Sequence, residues 1–244
     1  MSNLLSNFTK APPVAKIIVA LDYDNEDDAL NLSSKLEPSL CKLKVGKELF
    51  TACGPRIVEK LISRGYDVFL DLKFHDIPTT VYKACRVACD LGVWMLNVHA
   101  SGGEKMLNMA FEAVEASSYK PLLIAVTVLT SMSQQNLNQI GINSTVEEQV
   151  IKLAKLAWNN KFDGVVCSAL EAPIIKQHTD QYFLAVTPGI RLEQDLDHDQ
   201  TRVMLPSDAV SNHADYLVIG RPITQALDPH STLAHLVTQL NSYR

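Results

Sequence analysis

The sequence predicts an α/β fold, a closed (β/α)8 TIM barrel forming a single domain over residues 1–244. Three observations carry that expectation. The length of 244 residues is close to the roughly 250 typical of such barrels, and no linker or shift in composition divides the chain. Short apolar runs, near-continuous as strands buried on both faces must be, alternate with stretches of helical periodicity. Charged and polar residues gather just past the runs, the end of a barrel where sites are built.

Lys16-Ile17-Ile18-Val19-Ala20-Leu21 reads as strand one, stopped by Asp22, preceded by a polar lead over residues 1–15 and followed by an acidic helical segment, 24–36. Leu43-Lys44-Val45-Gly46 is strand two, and the amphipathic stretch 47–64 after it is divided by Gly54-Pro55. Strand parity puts Lys42 on the same face as Lys44, a crowding of two ammoniums that parity alone leaves unexplained. Strand three, Val68-Phe69-Leu70, runs into Asp71-Leu72-Lys73-Phe74-His75-Asp76-Ile77-Pro78. Alternation turns Asp71 and Lys73 to one side and Leu72 to the other. Ile77, Val81, Ala84, Cys85, Ala88 and Leu91 then recur at helical spacing, with Asp76 as N-cap and Pro78 in the first turn.

Residues 93–99 form strand four, and Ser101-Gly102-Gly103-Glu104 predicts a capping box ahead of Leu107, Ala110, Phe111 and Val114. Strand five covers 121–127, with Thr130 and Ser131 just beyond it. Ser144 and Glu147 open a capped helix with Val146, Val150, Leu153 and Ala157 on one face. Strands six and seven are 162–167 and 182–187, the latter leading into Pro188-Gly189-Ile190-Arg191. The polar, aperiodic segment 192–203 reads as a mobile loop. Strand eight, 216–219, ends in Gly220-Arg221-Pro222, and a C-terminal helix closes the chain.

Hydrophobic residues at 47% and charged residues at 20% place the chain among globular proteins. A formal charge of −5, a pI near 5.8 and no Lys/Arg block argue against a nucleic-acid surface, so an anionic ligand must be held by local cations. The 5 cysteines are odd in number and lack a C-x-x-C pair, which suggests neither a disulfide framework nor zinc. Cys85 and Cys89 fall on the apolar face of one helix. No histidine pair at i, i+4, no H-E-x-x-H and no dinucleotide glycine signature is present, so neither a metal nor a nicotinamide cofactor is expected. With no secretory leader and no membrane-length apolar run, the expected location is cytoplasmic.

Gly220-Arg221 after strand eight and Pro188-Gly189-x-Arg191 after strand seven occupy the positions where barrels commonly bind phosphate, with glycines admitting the anion to backbone amides and arginines adding bidentate contacts. Gln194, Gln200 and Arg202 between them either fold over a bound phosphate or simply solvate a surface. Asp22 and Lys44 either bond sugar hydroxyls or pair with each other, and Thr130 either bonds a polar ring edge or caps a turn. His99 is a general base or hydrogen-bonded architecture. Asp71 and Lys73 taken alone make an ordinary strand-end ion pair, but among so many strand-end polar groups they suit another role. An ammonium flanked by carboxylates stabilises a developing carbanion and then protonates it. That describes a barrel enzyme acting on a phosphorylated small molecule by decarboxylation, enolisation or epimerisation.

The D-x-K-F-H-D-I-P string, with Ala20-Leu21-Asp22, Leu43-Lys44-Val45-Gly46, Asn97-Val98-His99-Ala100-Ser101-Gly102-Gly103, Thr187-Pro188-Gly189-Ile190-Arg191 and Val218-Ile219-Gly220-Arg221-Pro222, closely resembles the bacterial orotidine 5'-phosphate decarboxylases from about residue 16 to 235. The resemblance implies conversion of orotidine 5'-phosphate to UMP and CO2, the last step of de novo UMP synthesis, with no metal or organic cofactor. It makes Lys73 the proton donor to C6 and sets Asp71 near the substrate carboxylate. Lys44 and Asp22 would hold ribose hydroxyls, Thr130 the pyrimidine, and Arg191, Gln200, Gly220 and Arg221 the phosphate, with Gln194 competing with Gln200. It further implies a homodimer in which Asp76 and Thr80 reach the partner's active site. The nearest rivals are the magnesium-dependent 3-keto-L-gulonate 6-phosphate decarboxylases, which share D-x-K-x-x-D, and more remotely a ribulose-phosphate epimerase-like enzyme. A silent nucleotide-binding barrel would be expected to lack Lys73 or one of the carboxylates.

Overall fold

Eight parallel strands close on themselves in sequence order: β1 (Lys16–Leu21), β2 (Lys42–Gly46), β3 (Val68–Phe74), β4 (Met95–His99), β5 (Leu122–Val126), β6 (Gly164–Val166), β7 (Leu184–Thr187) and β8 (Tyr216–Ile219). β8 pairs back onto β1, with Lys16 opposite Tyr216. The computed structural model describes residues 16–191 and 204–241. The lead over residues 1–15 and the loop expected at 192–203, with Gln194, Gln200 and Arg202, lie outside the described residues.

The strands are apolar on both faces because both are buried. Ile18, Ala20, Phe69, Met95, Ile124, Val186, Tyr216 and Val218 fill the barrel interior. The alternate residues, among them Val19, Leu43, Val45, Leu70, Leu96, Val165 and Leu217, pack against the surrounding helices. Each such aliphatic side chain stabilises the fold by about 1.5–3 kcal/mol relative to exposure. β6 and β7 approach so closely that a Cβ at Gly164 would collide with the carbonyl of Leu184.

The helices are α1 (Glu26–Ser34), α2 (Lys47–Cys53), α3 (Arg56–Ser63), α4 (Pro78–Asp90), α5 (Glu104–Glu115), α6 (Gln134–Gln139), α7 (Val146–Asn159), α8 (Ala172–His178), α9 (Pro206–Ser211), α10 (Arg221–Thr224) and α11 (Pro229–Asn241). The expected break of 47–64 occurs at Gly54, whose φ of 65° suits glycine. α6, α8 and α9 are too short for periodicity to reveal.

Three caps differ from expectation. Ile77, not Asp76, is the N-cap of α4, because Pro78 is the first helical residue and holds the residue before it extended. Ile77 is therefore 66% exposed instead of belonging to the apolar stripe. The box expected from Ser101 to Glu104 does not form. Residues Ala100–Gly102 make one 3-10 turn, and Gly103, at φ 82°, caps α5 without a side chain. At α7 the box is shifted by one residue, with Thr145 Oγ1 accepting from the Glu148 amide at 3.1 Å and Glu148 Oε2 from the Thr145 amide at 2.8 Å. Ser144 instead bonds Gln149.

The crowding of Lys42 and Lys44 is resolved by height in the barrel. Lys42, at the start of β2, pairs with Asp67, just before β3. Its Nζ also lies 4.2 Å from the centre of the Trp94 ring, which meets Tyr216 edge-on at 5.2 Å. Burial pushes the Tyr216 phenol up to about 12. Lys44, two residues on, extends to the opposite end.

Candidate active site

At the C-terminal ends of β1 to β3 the register lays out the site. Leu21 pairs with Val45, so Asp22 stands one step further, level with Gly46, and Gly46 pairs with Asp71. Lys44 begins one layer lower, opposite Ala20, and its chain climbs toward that level. Gly46 leaves the room it needs, since a Cβ there would lie 3.1 Å from the Lys44 ammonium.

The result is an alternating row of charges. Lys44 Nζ lies 3.2 Å from Asp22 Oδ1 and 3.4 Å from Asp71 Oδ2, while Lys73 Nζ lies 2.6 Å from Asp71 Oδ1. Asp71 and Lys44 are 8% and 9% exposed, Lys73 is half-buried and Asp22 opens to solvent. A carboxylate so far removed from water is tolerable because two ammoniums flank it. Simple alternation does not explain the Asp71–Lys73 contact. The pairing of β3 with β4 shifts between Leu70 and Phe74, and Lys73 adopts a left-handed φ of 53°. The bulge turns the lysine back to its neighbour.

Asn97, fully buried on β4, stands in the sequence within a strand and at the head of the Asn97–Gly103 motif, with no role of its own assigned there. Its Nδ2 donates to Asp71 Oδ1 at 2.7 Å and its Oδ1 accepts from the Lys73 amide at 2.8 Å. A lone asparagine on the inward face of an apolar strand was the available signal.

The remaining expected residues sit around the same rim. Gly220 follows β8 beside Asp22, its notional Cβ 3.6 Å from Asp22 Oδ2. Arg191 follows β7, buried, its amide donating to the Met204 carbonyl at 3.1 Å. Arg221 opens α10, exposed, and Thr130 lies half-buried in the turn after β5. Asp76 and Thr80 are exposed at the start of α4, and the Asp76 carboxylate accepts from the Ile77 amide at 2.6 Å without an ion pair to a described residue. The His99 ring lies tilted against that of His75, their centres 5.3 Å apart. Burial, then the charges of His75, Lys47 and Lys73, depress it to about 4 against the pull of Asp71, so it is a neutral ring at neutral pH. Among the described residues, no cluster of His, Cys, Asp or Glu has the makings of a metal site, and no helix is long and apolar enough to cross a membrane.

A profile of the orotidine 5'-phosphate decarboxylase / HUMPS family matches residues 15–236. The chain is 56% identical to the orotidine 5'-phosphate decarboxylase of Legionella pneumophila, over 92% of this chain and 99% of that one. Identity to the enzyme of the same name from Saccharophagus degradans is 54%, over 93% and 96% of the two chains. The crystal structure of orotidine 5'-phosphate decarboxylase from Lactobacillus acidophilus superposes with a TM-score of 0.83 at 38% identity, covering 93% of this chain and 99% of that one. With its charge row on the strand ends of a closed eightfold barrel and its likeness extending over nearly the whole length, the chain belongs to the orotidine 5'-phosphate decarboxylase / HUMPS family.

Proposed function

We propose that the protein decarboxylates orotidine 5'-phosphate to UMP and CO2. The observation that carries this reading is the row Asp22, Lys44, Asp71, Lys73, with its contacts of 2.6 to 3.4 Å, at the catalytic end of the barrel. Arg191, Gly220 and Arg221, on the rim after β7 and β8, hold the phosphate. Asp22 and Lys44 hold ribose hydroxyls and Thr130 the pyrimidine, which brings C6 of the base against Lys73. The C6–carboxylate bond breaks, its electron pair stays on C6, and CO2 departs beside Asp71. The Lys73 ammonium stabilises the carbanion and gives it a proton, and solvent reprotonates the amine. Phosphate binding far from C6 supplies energy that is expressed in the transition state.

In this reading the active unit is a homodimer, with Asp76 and Thr80 directed to the partner's site. Their exposure beside Ile77, an aliphatic side chain left 66% open, supports that arrangement. A spectrophotometric assay of orotidine 5'-phosphate in EDTA, with no added metal, tests the activity. Turnover undiminished by the chelator is expected. Its absence in folded protein would overturn the reading, and a requirement for magnesium would favour a sugar-phosphate decarboxylase.

A further inference from the structure

We infer that Asn97 is a positioning residue for the decarboxylation, holding the catalytic lysine and its neighbouring carboxylate in register from beneath; the inference rests on the function proposed above. Its amide spans the two functional groups. The Nδ2 end donates to the Asp71 oxygen that also receives Lys73 Nζ, at 2.7 and 2.6 Å, and the Oδ1 end accepts from the Lys73 backbone at 2.8 Å.

The second bond explains the bulge. Leu70 pairs with Leu96 and Phe74 with Val98, so four steps along β3 are matched by two along β4, and backbone groups in between lose their ladder partners. The Lys73 amide finds the Asn97 side chain instead. That bond holds Lys73 at φ 53°, a conformation a non-glycine residue adopts only when its surroundings impose it. The side chain is thereby sent back along the wall to Asp71. The first bond fixes which Asp71 oxygen faces Lys73 and leaves the other, Oδ2, for Lys44 at 3.4 Å. An aliphatic residue of the same shape would fill the space, yet release the bulge and leave Asp71 a donor short.

The test compares Asn97→Leu and Asn97→Asp with the parent protein. Parent turnover is measured first, so that its absence counts against the proposed function and leaves the positioning role to a crystal structure of Asn97→Leu. In the leucine variant kcat is expected to fall about 100-fold or more, since small misplacements of reacting groups cost that much. Affinity for UMP, which lacks the carboxylate, should stay within about threefold, a split that general damage to the fold would not produce. In Asn97→Asp the new carboxyl still accepts from the Lys73 amide but faces Asp71 without a donor. A proton shared between the two carboxyls restores that bond, so activity relative to the parent should rise about tenfold or more between pH 8 and pH 5.5. Near-parental kcat in Asn97→Leu, a loss confined to UMP affinity, or a pH-independent ratio in Asn97→Asp would overturn the inference. So would a leucine-variant crystal structure retaining the left-handed Lys73 and its contact with Asp71. Should the leucine variant not fold, the aspartate variant's pH ratio decides.

Discussion

At the scale of the residue, the proposed chemistry asks one ammonium to be both well held and available to give up its proton. Lys73 keeps a 2.6 Å contact with Asp71 while remaining half-buried at the mouth of the barrel. Lys73→Ala is expected to abolish turnover but to leave UMP bound, because the residues proposed to hold the phosphate and ribose lie elsewhere; near-normal turnover, measured beside UMP affinity, would remove the lysine from its assigned role. His99 separates stability from chemistry. Its folded-state value of about 4 lies below the roughly 6.5 of an unfolded histidine, so the unfolded chain binds the extra proton first. Stability from the neutral ring is complete above about pH 6.5 and is lost as the pH falls toward about 4. Urea unfolding at several pH values across that window should show a slope that His99→Gln flattens.

At the scale of the element, β6 is three residues long and depends on a glycine. Gly164→Val would force apart β6 and β7, and an overpacked core of this kind costs about 1–3 kcal/mol. Calorimetry should register a melting point lower by several degrees, on the scale of roughly 2–4 °C per kcal/mol. The strands and their order were legible in the sequence because burial on both faces leaves a near-continuous apolar signature. Asp22, Lys44, Asp71 and Lys73 were legible because charge at the end of such a run is conspicuous. Caps were read less well, since neighbouring Ser144 and Thr145 each have a glutamate three residues on and only the folded chain selects between them. The bulge at Lys73 was invisible for a different reason. It arises from the pairing of two strands, so no pattern along β3 alone encodes it, and the strict alternation that correctly made Asp71 and Lys73 neighbours did so through the wrong geometry.

At the scale of the whole molecule, the two ends of the barrel divide the work. The base is closed by the Lys42–Asp67 pair under Trp94 and Tyr216, and the mouth carries the row of charges. The proposed homodimer, with Asp76 crossing to the partner's site, makes a quantitative prediction. Lys73→Ala and Asp76→Ala proteins, each inactive alone, should recover about a quarter of parental activity when unfolded and refolded as an equal mixture, since half the dimers are mixed and each mixed dimer has one intact site. No recovery, with dimers verified by light scattering, would show that Asp76 does not cross between subunits. The closure of the ring bears on something else again. β8 meets β1 through the same parallel hydrogen bonding that joins every other neighbouring pair, so nothing in the sheet marks where translation starts. The barrel is a circle that the gene happens to write as a line, and the order of its strands is a cyclic property that a cut at any α-to-β turn would preserve.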